Sequence, residues 1–564
     1  MSREITHYDA IVVGSGMTGG WAAKELTQLG LRTLVLEAGR PITPERDAHE
    51  HVAPFEMPYR GLGDRRAVEA RQSVQQRSVT FDEMSHQFWT DDIDNPYSTS
   101  DTRKFDWFRA RQVGGKSIIW GRQTYRMSDL DFEANARDGI AVDWPIRYAD
   151  IAPWYDVVEK FIGVSGKAEG LPQLPDGVFL PPMDMNCVEQ HVRDKLAARY
   201  GRERVLTIGR SAVLTEVHNG RAPCHYCGPC HRGCSTRSYF SSVNATLPAA
   251  EATGRMTLRP YSVVRALKYD AVRKRISGVR VIDARTGADH VFTARLVFLC
   301  ASSLESARLL LNSATPQIPN GLANSSDQVG RNVMDHIKWG GASGEIDGFD
   351  DRRVIGDRPN GIYVPRFRNV TSKHPDFIRG YGFQGGAGRG GWESAARATG
   401  LGLAFKERLT QPGPWNMSFG GFGEMLPNAS NRATVDPTLR DRWGIPALHI
   451  EAQWSENELA IHRDMNISAA ELLDAAGARN IRPSTRGPST PGNTNHEMGT
   501  ARMGRDPKTS VLNGWNQAWD VPNLFITDGA FMTSSGNQNP SLTYMAVTAR
   551  ACHYAVEAMK RREL

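Results

Sequence analysis

The start of the chain has the clearest alternation of apolar and mixed segments. Residues 8–13 form a mostly aliphatic run, the pattern of a strand buried on both faces of a parallel sheet. A glycine-rich turn follows, then a segment with helical character over about 21–29, then a second apolar run over 33–37. This order predicts a strand, a crossover helix and a parallel strand, which is the βαβ unit of an α/β domain.

The same pattern returns later in the sequence. Residues 296–300 predict a buried strand, and residues 304–311 predict the helix that follows it. Near the end, residues 524–527 predict another strand, and a helix is predicted to begin at Pro540. A further helix is predicted from about residue 143 to 161. The α/β character therefore extends over several separate parts of the chain.

Residues 335–490 follow a different pattern. Alternating apolar and polar positions, as in 447–454, predict an antiparallel sheet. Within this region, a glycine-rich run over 380–402 predicts either a mobile loop or backbone that lies close to a ligand. The chain is thus predicted to combine a Rossmann-like α/β domain with an α+β domain that contains an antiparallel sheet.

The composition narrows the class of protein. The chain has 564 residues, of which 40% are hydrophobic, so it is long enough for about two to four domains. Its formal charge of +6 is spread along the chain, which argues against a nucleic-acid-binding stripe. No apolar run approaches the roughly 20 residues of a membrane span. The polar residues 1–7 leave no room for a signal peptide, so a cytoplasmic location is expected.

The turn after the first strand carries a dinucleotide-binding fingerprint. Gly14 allows the tight turn, Gly16 allows close approach of a pyrophosphate, and Gly19 allows the helix to pack on the strand. Glu37, at the end of the second strand, is expected to bind a ribose hydroxyl. Because the strand, the helix and the acidic residue all accompany the glycines, a dinucleotide site is favoured over a turn that is merely rich in glycine.

Residues 48–104 separate this unit from a second glycine turn. The segment is polar and aromatic without clear periodicity, which predicts an insertion or arm. The second turn contains Gly114 and Gly115.

Four of the seven cysteines lie in a segment of eleven residues, the cysteine loop, at Cys224, Cys227, Cys230 and Cys234. Gaps of this length let thiolates from one loop converge on a single iron–sulfur cluster, because the chain can turn each sulfur inward. A structural zinc site and a pair of disulfides are the alternatives. Together with the dinucleotide fingerprint, a cluster predicts an electron relay.

Four ordered segments resemble one enzyme family. They are the fingerprint from Gly14 to Glu37 and residues 301–312, 329–336 and 431–437. They are similar to segments of the glucose-methanol-choline (GMC) oxidoreductases, a family of flavoproteins, and the resemblance runs nearly end to end. It implies FAD bound in extended form, with Val263 near the adenine. The residues expected to bind FAD are Gly14, Gly16, Gly19, Glu37, Gly114, Gly115, Val263, Asp528, Gly529 and Asn539.

Within the family, residues 105–123 and 143–148 look like those of bacterial glucoside 3-dehydrogenases. The resemblance implies a 3Fe-4S or 4Fe-4S cluster at the cysteine loop. Pyranose oxidases attach FAD through a histidine, but Ile118 and Ile119 occupy that stretch here, so non-covalent FAD is expected. The resemblance also implies a small partner subunit and a cytochrome or other electron acceptor, and it allows a periplasmic location through co-export with a signal-bearing subunit.

The expected reaction needs a base beside the flavin, because a neutral alcohol is a poor hydride donor. The resemblance assigns this base to His496. Its partner is expected at Asn539, just before Pro540, where family members have histidine or asparagine; Asn537 is a nearby alternative. Gln384 is a candidate contact for sugar hydroxyls, and a surface-facing strand residue is the other interpretation.

A structural role competes at Asn539. Asparagine before a proline at the first helical position is a good N-cap, and both roles can hold. The positive end of that helix would also stabilise charge that develops on the reduced flavin.

These observations predict an FAD-dependent sugar dehydrogenase. The resemblance implies that it oxidises a secondary hydroxyl, at C3 of a glucoside or disaccharide, to a keto sugar, and we expect electrons to pass through the cluster to an external acceptor. The alternatives are a pyranose-type oxidase that uses O₂ and holds a structural metal at the cysteines, and a flavin-bearing structural subunit without a substrate. The predicted FAD-binding domain comprises residues 1–47, 105–135, 206–334 and 491–564, with an arm at 48–104 and a substrate domain at 136–205 and 335–490.

Overall fold

The computed structural model describes residues 7–53, 55–57, 64–390 and 399–564. Its strands are β1 (His7–Val13), β2 (Thr33–Leu36), β3 (Thr207–Ile208), β4 (Met256–Arg259), β5 (Ser262–Asp270), β6 (Arg275–Asp283), β7 (Asp289–Leu299), β8 (His336–Ile337), β9 (Gly341–Ile346), β10 (Ile362–Val364), β11 (Tyr381–Arg389), β12 (Trp415–Glu424), β13 (Arg432–Arg440), β14 (Pro446–Glu451), β15 (Arg479–Pro483) and β16 (Leu524–Ile526). Its α-helices are α1 (Met17–Gln28), α2 (Pro44–Asp47), α3 (Arg65–Arg71), α4 (Asp129–Phe132), α5 (Ala134–Asp138), α6 (Tyr148–Ile162), α7 (Cys187–Tyr200), α8 (Leu247–Glu251), α9 (Ser303–Asn312), α10 (Gly402–Thr410), α11 (Glu456–Ala475) and α12 (Ser541–Lys560).

The first sheet is parallel at its centre and antiparallel at one side. β1 lies between β2 and β7, and β4 and β16 complete the parallel part in the order β4-β2-β1-β7-β16. The C-terminal half of β7 pairs with β1, whereas its N-terminal half pairs antiparallel with β6, which in turn pairs with β5. Residues 10–12 of β1 are fully buried, as expected for a strand covered on both faces.

Helices α1, α6 and α12 form an apolar layer beside this sheet. α1 packs against α12, and α12 packs against α6. Trp21 of α1 is fully buried, and its ring meets that of Phe161 edge to face with 5.4 Å between the centroids. Both α1 and α12 begin beside residues that line one cavity, Gly16 and Asn539. The packing of the two helices therefore brings two distant parts of the chain to the same site.

The second sheet is antiparallel throughout, in the order β15-β9-β12-β11-β10-β3, with β8 paired to β12. α11 packs on this sheet, where Met465 fills the space beside Gly421 of β12. Successive residues of a strand point to opposite faces. Accordingly Phe383 is buried, whereas Gln384 and Phe422 line the cavity.

The fold class is confirmed: a Rossmann-like α/β domain is joined to an α+β domain with an antiparallel sheet. Two details of the prediction differ from the structure. Most of residues 447–454 lies in or beside β14, which pairs with β13 as a separate two-stranded sheet. In the glycine-rich run, 381–389 is the strand β11, paired on both sides, and so is not a loop, while 391–398 lies outside the described residues.

The predicted helix beginnings shift for local reasons. α1 begins at Met17, earlier than predicted, because the glycine turn includes the first helical turn. α6 begins at Tyr148, later than predicted, because the residue before Pro145 is restricted to extended conformations. At α12 the N-cap residue is Pro540, and no side chain caps the helix. The predicted capping role of Asn539 is therefore wrong.

The predicted arm at 48–104 contains α3 and short 3₁₀ turns, and no strand occurs in its described part. It is fastened to the cysteine loop at two points. Asp82 accepts hydrogen bonds from His231 at 2.7 Å and Arg232 at 2.6 Å, and Glu50 accepts from the backbone of Ser235 at 2.6 Å. Across the described ranges, no helix combines the length and the apolar character needed to cross a membrane.

Candidate active site

The first glycine turn leaves the end of β1 open to a cavity. Gly14 has a φ of +94°, and a Cβ there would clash with the carbonyl oxygen of Cys300. A Cβ on Gly19 would clash with the carbonyl oxygen of Gly14, so only glycine lets α1 pack this closely. At Gly16 the space is free out to 3.9 Å, where the backbone of Gly114 lies. Gly16 is thus the point where a ligand can approach the backbone.

Ser15 and Glu37 join this turn to β2 and to the second glycine turn. Glu37 accepts hydrogen bonds from the backbone and hydroxyl of Ser15 at 3.1 and 2.6 Å. Burial raises the pKa of Glu37. The hydroxyl of Ser15 in turn accepts from the backbone of Gly114 at 3.0 Å, and Gly115, with a φ of +48°, lies against Gly16. The two predicted glycine turns therefore form one continuous surface.

A cavity of about 420 Å³ lies over both turns. This volume is within the range of small-molecule and cofactor pockets. The predicted site residues that line it are Gly14, Gly16, Glu37, Gly115, Val263, Gln384, His496, Asp528, Gly529 and Asn539. Gly19 and Gly114 shape the turns from behind this lining.

Three residues that line the cavity carry buried polar atoms that pair with no described residue. The hydroxyl of Tyr544, Oε1 of Glu497 and Oδ1 of Asn495 are buried, belong to lining residues and have no hydrogen-bond partner among the described residues. Buried polar atoms are normally paired, so these atoms indicate a polar ligand. Asp528, at the predicted turn before Gly529, has its pKa raised to about 6 by burial. Together with the glycine turns, this set of groups fits FAD.

A buried carboxylate fixes the loop that leads to His496. Asp335 precedes β8, is fully buried and accepts hydrogen bonds from the backbone N–H groups of Gly492 at 2.7 Å, Thr494 at 3.2 Å and His496 at 3.2 Å. The hydroxyl of Thr494 also donates to it. Four hydrogen bonds to one side chain set the path of this loop, so the direction of the His496 side chain is set by the fold.

His496, Asn539 and Gln384 meet at the cavity. Nδ2 of Asn539 lies 3.5 Å from Nε2 of His496, and Nε2 of Gln384 donates to Oδ1 of Asn539 at 2.6 Å. Asn537 is buried elsewhere, and its amide donates to the hydroxyl of Tyr363 at 3.3 Å. The structure therefore brings Asn539, and not Asn537, to His496.

The pKa of His496 is held well below its ordinary value of 6.5. Burial is the main cause, and His336, Lys338 and Lys116 act in the same direction. Burial also lowers the pKa of Lys338 to about 8, and its ammonium group donates to a backbone carbonyl at 2.7 Å. Lys116 forms an ion pair with Glu497 at 2.8 Å. A neutral imidazole is therefore the resting form of His496 at neutral pH.

Sequence reasoning misses four residues of this site: His336, Lys338, Lys116 and Phe422. Nδ1 of His336 lies 2.7 Å from Nδ1 of His496, and the Phe422 ring lies 6.3 Å from the His496 ring. Lys116 directly follows the second glycine turn, so that turn could have indicated Lys116 as a site residue. The others come from β8, β12 and the residue after β8. β8 pairs with β12, and a backbone bridge between Met334 and Met498 joins the segment before β8 to the loop of His496. No short sequence pattern indicates these contacts between distant parts of the chain.

The four cysteines of the cysteine loop are free thiols and partly exposed. Cys224, Cys230 and Cys234 pack against one small apolar cluster that includes Tyr239. Burial raises the pKa of Cys227 to about 12, and the other three thiols add to this shift. Across the described part of the chain, no group of three or more Cys, His, Asp or Glu side chains is arranged to hold a metal ion. Three of the cysteines share one apolar cluster, but the four side chains are not arranged as a metal site, so the iron–sulfur cluster stays a prediction.

A short stretch of chain separates the cysteine loop from the cavity. Trp120, Gly121 and Gln123 line the cavity, while the guanidinium of Arg122 lies over the Tyr239 ring at 5.2 Å. Arg122 is only 8% exposed, and its Nε and Nη1 atoms lack partners among the residues that the structure describes. Unpaired N–H groups of a buried arginine beside several thiols would be satisfied by an anionic thiolate set.

Comparison with known proteins supports one family. Two family models described as GMC oxidoreductase match residues 8–338 and 427–548. The 2-methyl-1,2-propanediol dehydrogenase of Mycolicibacterium austroafricanum is 29% identical in an alignment 590 residues long, which covers 98% of this chain and 96% of that protein. The fructose dehydrogenase large subunit of Gluconobacter japonicus is 26% identical in an alignment 575 residues long, which covers 100% of both chains. The crystal structure of pyridoxine 4-oxidase from Mesorbium loti has a similar fold, with a TM-score of 0.60 and 17% identity over 97% of this chain and 98% of that one.

The family assignment and the geometry agree. The first model match alone spans more than half of the chain and contains both glycine turns, and the second contains His496 and Asn539. The cavity that joins these parts is lined by the residues expected to hold a flavin dinucleotide. The chain therefore belongs to the GMC oxidoreductase family and is a flavoprotein that binds FAD and oxidises CH–OH groups.

Proposed function

We propose that this protein is an FAD-dependent sugar dehydrogenase that oxidises a secondary hydroxyl, at C3 of a glucoside or disaccharide, to a keto sugar. The observation that carries the proposal is the meeting of His496, Asn539 and Gln384 at the cavity. Nε2 of His496 and the Asn539 amide lie close enough to contact the same hydroxyl oxygen of a bound alcohol.

His496 is the proposed catalytic base. FAD, when bound, accepts the hydride that leaves the carbon. Nε2 of His496 accepts the proton, so the substrate O–H bond breaks as an N–H bond forms. The lowered pKa keeps the imidazole unprotonated before the reaction, and the Asn539 amide is proposed to hold the reacting oxygen. The two groups together orient the hydroxyl and remove its proton.

The surroundings of His496 favour a substrate with several hydroxyl groups. Gln384, Asn539 and Lys338 supply hydrogen-bond donors, and Phe422 supplies an apolar surface. A sugar ring presents hydroxyls at its rim and C–H groups on its faces, which matches such a lining. The similarity to a fructose dehydrogenase large subunit supports a sugar substrate. The choice of C3 depends on the resemblance of residues 105–123 and 143–148 to glucoside 3-dehydrogenases.

The test is an anaerobic titration of the FAD-loaded protein. The panel contains methyl α-D-glucopyranoside, a disaccharide, D-fructose and 2-methyl-1,2-propanediol, and the readouts are loss of flavin absorbance and NMR assignment of the product carbonyl. The proposal expects the glucosides to bleach the flavin fastest and to give 3-keto products. Bleaching by the diol alone would assign the site to small alcohols. Failure of every compound would favour a flavin-bearing subunit without a substrate.

We also propose that the cysteine loop holds an iron–sulfur cluster, either 3Fe-4S or 4Fe-4S. When bound, it would supply one-electron transfer to an external acceptor. The proposal is supported by the convergence of the thiols and by two buried arginines, Arg122 and Arg221, whose unpaired N–H groups lie near them. Metal binding and ligand geometry are coupled, so cluster insertion would draw the thiols into their final positions.

Iron and acid-labile sulfide analysis of anaerobically purified protein, with EPR, tests the cluster directly. The proposal expects both elements at a fixed ratio to flavin and an EPR signal that responds to substrate. Protein with full FAD but neither iron nor sulfide would refute it. Peroxide formation as fast as dye reduction would instead favour the pyranose-type oxidase with O₂ as acceptor.

The remaining parts of the proposal concern attachment and partners. FAD is proposed to bind non-covalently, since Ile118 and Ile119 are buried and carry no nucleophile, and denaturation should release it completely. The similarity to a protein named as a large subunit supports a small partner subunit and an acceptor such as a cytochrome. A cytoplasmic location, or a periplasmic one through co-export with that subunit, is proposed on the sequence alone.

A further inference from the structure

A second histidine, His336, lies behind His496 and has no role in the chemistry described so far. It begins β8, is fully buried, and meets the His496 ring edge to face with 4.9 Å between centroids. Its Nδ1 lies 2.7 Å from Nδ1 of His496, and its Nε2 lies 2.8 Å from the carbonyl oxygen of Gly536. Both nitrogens of His336 are therefore engaged.

The carbonyl of Gly536 decides which nitrogen of His336 carries hydrogen. A carbonyl oxygen can only accept, so Nε2 of His336 must donate. In the neutral ring, Nδ1 then has a lone pair and accepts. The partner of Nδ1 must consequently donate, so Nδ1 of His496 carries its hydrogen. Nε2 of His496 is left without hydrogen, and its lone pair faces the amide of Asn539.

The hydrogen bonds on the cavity side run in the same direction. Gln384 donates to Oδ1 of Asn539 at 2.6 Å, which turns the amide N–H groups of Asn539 toward Nε2 of His496. From Gln384 through Asn539, His496 and His336 to Gly536, every donor faces an acceptor. Reversing one member would set two donors or two acceptors against each other, so the arrangement is consistent in one direction.

Burial favours two neutral rings, and the charged groups packed around the pair act in both directions. Burial lowers the pKa of both histidines. Lys116 and Lys338 face His496 and act in the same direction, and Lys116 is paired with Glu497. Asp335 and Glu424 face His336 and oppose the effect of burial without reversing it. The tautomer argument, which requires neutral rings, therefore applies at neutral pH.

We propose that His336 is a positioning residue that fixes the tautomer of His496 and so keeps Nε2 free to accept the substrate proton. This inference rests on the proposed role of His496 as the base. When the substrate O–H bond breaks and the Nε2–H bond forms, the His496 imidazolium still donates its Nδ1–H to His336, which stabilises the new charge. Without an acceptor at position 336, His496 can carry its hydrogen on Nε2, and that tautomer cannot accept a proton from the cavity.

His336→Asn and His336→Leu form a matched pair of variants. The two side chains have the same branching and similar size, but Oδ1 of asparagine can accept where Nδ1 of histidine accepted. With methyl α-D-glucopyranoside as reductant, we expect His336→Leu to slow anaerobic flavin reduction by about 10²-fold, whereas His336→Asn retains most of the rate. His336 does not line the cavity, so both variants should keep FAD. Because a tautomer ratio is independent of pH, the loss should be the same at every pH where His496 is neutral.

A tautomer measurement requires neither substrate nor a folded variant at position 336. The ¹⁵N NMR spectrum of histidine-labelled wild-type protein, assigned by comparison with His496→Ala, should show Nδ1 of His496 protonated and Nε2 unprotonated. The opposite tautomer would overturn the proposal, as would His336→Leu at the wild-type rate or His336→Asn as slow as His336→Leu. If His496→Ala reduced flavin normally, the assignment of the base would fail instead, and the two failures are thus distinguishable.

Discussion

The cavity around His496 and the cysteine loop differ in how completely the fold forms them. In the cavity, Asp335 accepts four hydrogen bonds from the loop that leads to His496, and Gln384 holds the amide of Asn539. In the cysteine loop, the thiols converge without the arrangement that a metal ion needs, within the described residues. The backbone fixes the geometry of a site that is built on strand ends and helix starts. A metal site on a loop, by contrast, takes its final geometry when the metal binds.

Two glycines and two acidic residues of the arm nevertheless set the path of the cysteine loop. Gly228 and Gly233 have φ values of +100° and +105°, so the chain can wrap between the cysteines. Asp82 of the arm accepts from His231 and Arg232 within the loop, and Glu50 accepts from Ser235 directly after it. What differs from the cavity is the arrangement of the sulfur atoms, which does not form a metal site within the described residues.

The largest effect is expected from His496→Ala. Removal of the base should slow anaerobic flavin reduction by sugar about 10³-fold, because positioned general bases contribute about 10²–10⁴-fold, while the FAD content is unchanged. Stopped-flow absorbance measures the rate. His553→Ala, on the half-exposed side of α12, is the control and should reduce flavin normally. A His496→Ala protein that keeps a tenth of the wild-type rate would end the assignment of the base.

Cys227→Ser should separate the two regions. Loss of one thiolate ligand should remove most of the bound iron and lower turnover with ferricyanide, while anaerobic bleaching of the flavin keeps the wild-type rate. Cys187→Ser changes a partly buried cysteine at the start of α7 and should affect neither. Equal iron contents in Cys227→Ser and the wild type would remove the cysteine loop from the electron path.

The two regions also differ in what local sequence can reveal. Gly14 and Gly19 could be predicted because both requirements are local to the turn: Gly14 has a positive φ, and the carbonyl of Gly14 excludes a Cβ on Gly19. The spacing of the cysteines predicts convergence, which the structure has, but ligand geometry depends on a bound group that no spacing encodes. His336 could not be predicted, since 160 residues separate it from His496. Long-range contacts of its neighbours bring the two together: the backbone bridge between Met334 and Met498, and the hydrogen bond from the His496 N–H to Asp335.

Local rules fail where tertiary contacts override them. Asn539 satisfies the sequence rule for an N-cap, yet its amide bonds Gln384 and approaches His496 across the cavity. Oδ1 of Asn539 accepts from Gln384 and does not accept from the backbone N–H groups of α12. The fold class, by contrast, follows from the long apolar strands and their helices, which repeat along the chain and do not depend on any single contact.

A smaller effect is expected from Gln384→Leu. One hydrogen bond to Asn539 is lost, worth about 1 kcal/mol, so kcat/KM for the sugar should fall about fivefold. Steady-state kinetics with a dye acceptor measure this. Ser418→Ala, an exposed position on the neighbouring strand β12, is the matched control. An unchanged kcat/KM in Gln384→Leu would show that Asn539 needs no support from β11.

The smallest effect is a shift in pH dependence. Flavin reduction requires neutral His496, so its rate falls as pH drops through the pKa of that group. Lys338, charged below its own pKa of about 8, lowers the pKa of His496. Lys338→Met should therefore raise the pKa of His496 and move the acid limb of the rate profile to higher pH, whereas Lys338→Arg should leave it in place. An acid limb that does not move in Lys338→Met would mean that burial alone sets the pKa.

The central claim is that the cavity beside His496 removes hydride from C3 of a glucoside. Its most direct test is anaerobic flavin reduction by methyl α-D-glucopyranoside deuterated at C3 or, for comparison, at C2. The account predicts that deuterium at C3 slows bleaching of the bound FAD and that deuterium at C2 does not. Slowing by C2 deuterium alone, or a flavin that neither compound bleaches, would contradict it.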